Sequence, residues 1–124
     1  MTGNEYQQLA MRTNDGLNRL RLEDAIANQG DILVSQLLNG ALGLTGEAGE
    51  VSDLIKKGIF HEKGIDLEHL KKELGDCAWY LAMICDACGF TLDDVMQKNI
   101  DKLKARYPKG FDAFRANNRT EDDI

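Results

Sequence analysis

The stretch Gly46-Glu47-Ala48-Gly49-Glu50-Val51-Ser52-Asp53-Leu54-Ile55 decides the fold, because acids interrupt a run that otherwise has the pattern of a packed helix. Leu44, Ala48, Val51, Ile55 and Ile59 recur at the period of an α-helix and mark one apolar stripe. Glu47 and Glu50 flank that stripe instead of lying opposite it. Residues three apart on a helix share a face, so this pair directs two carboxylates toward one point. Acids at an apolar edge are costly to keep charged unless a cation compensates them.

The same pattern returns downstream as Glu73-Leu74-Gly75-Asp76, beside Leu70, Cys77 and Ile84, with Tyr80 one turn above. The two helical segments are joined by a polar connection, His61–Ile65, containing Gly64. Asp66 is suited to cap the second segment. A connection this short makes the helices antiparallel and brings the two acid pairs face to face, the way metal sites arise on facing helices of a bundle. Carboxylate-only ligation suits Mg²⁺, Mn²⁺ or Ca²⁺, whereas zinc and iron recruit His or Cys. Because Mg²⁺ keeps several waters and commonly shares substrate phosphates, the set points to phosphate-ester or phosphoanhydride chemistry.

Outward from this centre the chain reads as helix throughout. The periodicity predicts a first helix over Asn4–Arg12 and a weaker one over Leu17–Asn28. A long helix is predicted from Ile32 to Phe60, and another over Leu67–Ala87 that Gly89 closes. Thr91 and Asp94 start a last helix, which stops before Pro108. Gly40, Gly43, Gly46 and Gly49 recur every three residues, which predicts close approach of a partner helix or a flat ligand; the alternative is a loop over Gly40–Gly46 with the helix starting at Thr45. No β pattern appears, so the class is all-α: a four- to five-helix bundle in one domain over 1–111, followed by a polar, mobile tail over 112–124. The helix over Leu67–Ala87 is apolar over so wide an arc that a subunit interface is expected there.

Composition removes several alternatives. A formal charge of −6 argues against a nucleic-acid polymer as partner, because phosphate backbones select basic surfaces. It leaves open a free nucleotide that arrives with metal ions. No apolar run approaches a membrane span and the N-terminus lacks a signal-peptide pattern, so a cytoplasmic protein is expected. Cys77, Cys85 and Cys88 share one helix; the Cys85-Asp86-Ala87-Cys88 spacing lies mid-helix, where redox pairs are disfavoured, and reads as buried thiols. His61 and His69 read as ordinary surface or loop histidines, and Asp53 as part of a solvated face.

The ordered set of motifs resembles the MazG-type nucleotide pyrophosphohydrolases of the all-α NTP pyrophosphatase superfamily. The resemblance rests on Gly46-Glu47-Ala48-Gly49-Glu50-Val51, Glu73-Leu74-Gly75-Asp76 with Trp79-Tyr80-Leu81, and the connection Phe60-His61-Glu62-Lys63-Gly64. It continues in Asn99-Ile100-Asp101-Lys102-Leu103 and Arg106-Tyr107-Pro108-Lys109-Gly110-Phe111. It implies Mg²⁺-dependent hydrolysis of (d)NTPs to monophosphate and pyrophosphate, with Mn²⁺ as a possible substitute, in the removal of unwanted or non-standard nucleotides. By position it implies that Glu47, Glu50, Glu73 and Asp76 hold the metal, and that Asn99, Lys102, Tyr80 and Arg106 contact the nucleotide. It further implies a homodimer or homotetramer. Gly46 stands where the fuller motif has a further acid, as it does in some relatives, which leaves the water-activating base unassigned. The rival readings are a helical interaction or regulatory module that has lost catalysis, and a metal-binding bundle without hydrolase activity.

Overall fold

The computed structural model describes residues 1–119, which form six helices and no strand. These are α1 (Gly3–Met11), α2 (Asn18–Asn28), α3 (Val34–Phe60), α4 (Leu67–Cys88), α5 (Leu92–Arg106) and α6 (Ala113–Asn117). The all-α expectation holds, and the boundaries fall within a few residues of those read from periodicity. The short α6 lies in the segment read as tail; it starts where Asp112 Oδ1 accepts from the Phe114 and Arg115 amides at 2.8 and 3.3 Å. The remainder of that expectation, over 120–124, lies outside the described residues.

The spine is the α3–α4 hairpin. At 27 and 22 residues the two helices run about 40 and 33 Å. Their ends are set by local chemistry. Asp66 Oδ1 accepts from the His69 amide at 3.1 Å and starts α4. Gly89 ends it with a left-handed φ of 75°, and Thr91 Oγ1 accepts from the Asp94 amide at 3.2 Å to start α5.

The hairpin is fastened at both ends. At the open end the Leu33 amide donates to the Ala87 carbonyl at 2.9 Å, and Gln36 Nε2 donates to the Met83 carbonyl and to Asp86 Oδ2 at 3.1 and 2.7 Å. At the turn the Gly64 amide donates to the Gly58 carbonyl at 3.0 Å. A Cβ on Gly58 would come within 2.9 Å of the Gly64 carbonyl oxygen, so the return path of the loop requires glycine there.

The glycine ladder divides in two. α3 is continuous through all four glycines, which removes the loop alternative over Gly40–Gly46. A Cβ on Gly40 would lie 2.7 Å from Ile84 Cγ1, and one on Gly43 would overlap the Tyr80 ring. Gly46 and Gly49 face open space within the chain. Close approach of a partner helix therefore explains the first two positions, and that partner is α4.

Little of the apolar surface is covered. Among the described residues only Gly40, Gly58, Cys85, Ala87 and Arg106 are buried. Cys85 is packed as expected, while Cys77 and Cys88 are half-buried, and all three thiols are free. The broad apolar face of α4 stays open: Leu74, Trp79 and Leu81 are exposed. α1, α2 and α5 add few contacts to the hairpin. Among the described residues no helix is long and apolar enough to cross a membrane.

Candidate active site

The antiparallel hairpin places the middle of α3 against the middle of α4, and three of the four acids meet there. Glu47, Glu73 and Asp76 each bring one carboxylate oxygen within 4.8 Å of the others. Glu47 is half-buried, the Glu73 side chain is only 15% exposed, and Asp76 is open to solvent. The fit of Tyr80 over Gly43, one turn from Asp76, sets how closely the two helices approach beside the cluster.

Crowded carboxylates repel. The Glu47 carboxyl lies against Glu73, and two carboxylates in contact favour a proton on one of them. That contact, partial loss of hydration, and the charges of Asp76, Glu73 and Glu50 hold the Glu47 carboxyl above its ordinary value of 4.5. A divalent cation would relieve the same crowding without the proton. The donor set is all oxygen, matching Mg²⁺ or Mn²⁺ in preference to zinc or iron. The residues present therefore fit the metal that the sequence implied.

Glu50 lies outside the three-acid group. It is exposed, acts on Glu47 through its charge, and lines a neighbouring cavity of about 450 Å³ at the turn end of the hairpin. Asn99 and Lys102, on α5, are exposed and half-buried, and no hydrogen bond or ion pair joins either to the four acids. Arg106, at the end of α5, is buried with its guanidinium carbon 5.8 Å from the Tyr107 ring centre. Tyr80 meets Trp79 edge to face, with ring centres 5.1 Å apart.

Of the groups read as bland from sequence, His69 touches the cluster and Asp53 lines the adjoining cavity. His69 Nε2 lies 2.9 Å from Glu73 Oε1 and orients that carboxylate, the service an outer residue gives a metal ligand. The signal was its position four residues before Glu73, one helical turn away on the same face. Asp53 stands at the solvated edge of α3, its side chain 45% exposed, and pairs with Lys57 at 2.7 Å. That ammonium holds the Asp53 carboxyl below its ordinary value, and Asp53 in turn raises Lys57.

The chain matches the family model of the MazG nucleotide pyrophosphohydrolase domain over residues 30–111. The chain belongs to this family. The matched region contains α3, α4 and α5 and all four acids. The Gene 37 protein of Mycobacterium phage L5 is 34% identical over 82 residues, covering 63% of this chain and 72% of that protein. No solved structure matches the chain. Membership of the MazG family supports a nucleotide pyrophosphohydrolase.

Proposed function

We propose that this MazG-family chain is a Mg²⁺-dependent nucleoside triphosphate pyrophosphohydrolase that converts (d)NTPs to (d)NMPs and pyrophosphate and clears non-standard nucleotides in the cytoplasm. The observation that carries the reading is the convergence of Glu47, Glu73 and Asp76 from facing helices. In the reaction a water oxygen bonds to the α-phosphorus and its proton passes to solvent, the bridging bond to the β-phosphate breaks, and pyrophosphate leaves with the electron pair. When bound, Mg²⁺ supplies charge neutralisation on the phosphate oxygens and a lowered pKa for the attacking water.

The chain's own contribution is placement. Glu47, Glu73 and Asp76 would hold the metal, with Glu50 completing the set from the same face of α3. His69 keeps Glu73 oriented. Tyr80, Asn99, Lys102 and Arg106 would contact the nucleotide. For Asn99 and Lys102 this is easiest to satisfy across an assembly, since within one chain neither bonds to the acids. A homodimer or homotetramer is therefore part of the reading.

The test is pyrophosphate release from a panel of standard and modified (d)NTPs, with and without Mg²⁺. Release should require the metal, and Asp76→Asn or Glu50→Gln should lower the rate by about 10²-fold or more while helix content is unchanged. Absence of release across the whole panel would make the helical interaction module the better account.

A further inference from the structure

The cavity beside the acids is built from the last turns of α3, the connection after Phe60 that carries Lys63, Gly64 and Asp66, and the first turn of α4. Its walls carry Lys57, Lys63 and His69 as well as Glu50, Asp53 and Asp66. Most of these charges are already engaged. Lys57 Nζ pairs with Asp53 at 2.7 Å, His69 Nε2 meets Glu73 at 2.9 Å, and Asp66 accepts from the His69 amide at 3.1 Å. Lys63 makes no ion pair or side-chain hydrogen bond among the described residues. Its loop is nonetheless fixed: Glu62 and Gly64 hold left-handed φ values of 56° and 75°, and Gly64 is tied back to Gly58 at 3.0 Å. An uncommitted ammonium is thus presented at the wall of a cavity on a loop of set shape.

The cavity adjoins the acid cluster through two of its own walls, His69, which touches Glu73, and Glu50. Its lining includes no Phe, Tyr or Trp, its one ring is the imidazole of His69, already held by Glu73, and Leu54 is its one large apolar side chain. A nucleobase needs a flat or apolar surface to stack on, so the lining disfavours it. A compact polyanion suits it, since phosphate oxygens need cationic donors wherever metal ions do not reach.

We propose that this cavity receives the pyrophosphate half of the substrate, with Lys63 as its binding residue and Lys57, held at the wall by Asp53, as the second cation. That pyrophosphate is the anion concerned rests on the hydrolase reading; that the cavity takes a phosphate anion does not. The assignment puts the leaving group toward the interhelix loop and the nucleoside on the far side of the acids.

Titration calorimetry on the intact protein with magnesium pyrophosphate, inorganic phosphate and a nucleoside monophosphate tests it. Lys63→Gln should weaken pyrophosphate about tenfold or more, leave the monophosphate within about twofold, and be rescued by Lys63→Arg. Inorganic phosphate should bind far more weakly than pyrophosphate and feel the same substitution. Unchanged pyrophosphate affinity in Lys63→Gln, or an equal loss for the monophosphate, overturns the subsite and leaves the hydrolase reading intact. If the wild type cleaves no nucleotide yet binds pyrophosphate through Lys63, the subsite stands and the hydrolase reading falls.

Discussion

At the residue scale Glu47, Glu73 and Asp76 of α3 and α4 form a repulsive cluster whose crowding a cation would relieve. Glu47 is protonated more readily in the fold than in the unfolded chain, so the metal-free folded state binds more protons. Stability without metal should therefore fall as pH rises from 4.5 through the raised Glu47 value. Mg²⁺ should flatten that decline, and thermal melts across pH with and without Mg²⁺ measure both. Glu47→Gln removes one of the crowded charges; the metal-free variant should melt higher than wild type and gain nothing from Mg²⁺. A lower melting temperature for metal-free Glu47→Gln would show that the carboxylates are not in mutual repulsion. Asp53 works in the opposite sense. Its pairing with Lys57 supports the fold above 3.8 and is lost as pH falls through the depressed value.

At the element scale the hairpin depends on where a side chain is forbidden. Gly43→Ala would drive a methyl group into the Tyr80 ring beside the site. It should destabilise by about 1–3 kcal/mol, and lower activity, because Tyr80 must move. Gly49→Ala meets nothing within the chain and should stabilise α3 by up to about 1 kcal/mol, read by denaturant melts of the two variants side by side. The same contrast explains what was legible beforehand. A spacing of three announced close approach but could not say which glycines face α4, since that depends on the rotation of two helices about their axes. Asp66, Thr91 and Gly89 acted as read because capping is local. Glu50, about one turn nearer the interhelix connection than Glu47, lies outside the three-acid group, and Lys63 became visible only once the left-handed Glu62 gave the loop a shape.

At the scale of the whole molecule the single chain is more open than a folded monomer of its mass, an opening that the proposed assembly would close. It exposes 10140 Å², whereas a folded monomer of 13.8 kDa exposes about 6,600 Å². The difference, about 3,500 Å² per chain, exceeds the roughly 1,000–2,500 Å² that one partner removes in an obligate dimer. Part of it is apolar and lies on the hairpin itself: Leu42 is 73% exposed and Trp79 58%. Two partner faces per chain account for that excess better than one, which favours a dimer of dimers over a simple dimer. Light scattering should give a mass of at least two chains, and four if both faces are used. The melting temperature should rise with protein concentration, because dissociation and unfolding are then linked. Trp79→Glu should lower the mass and the melting temperature together. Activity should fall with them if α5 of a neighbouring chain delivers Asn99 and Lys102 to the acids. A Trp79→Glu protein that is monomeric yet fully active would show that no neighbouring chain delivers those two residues.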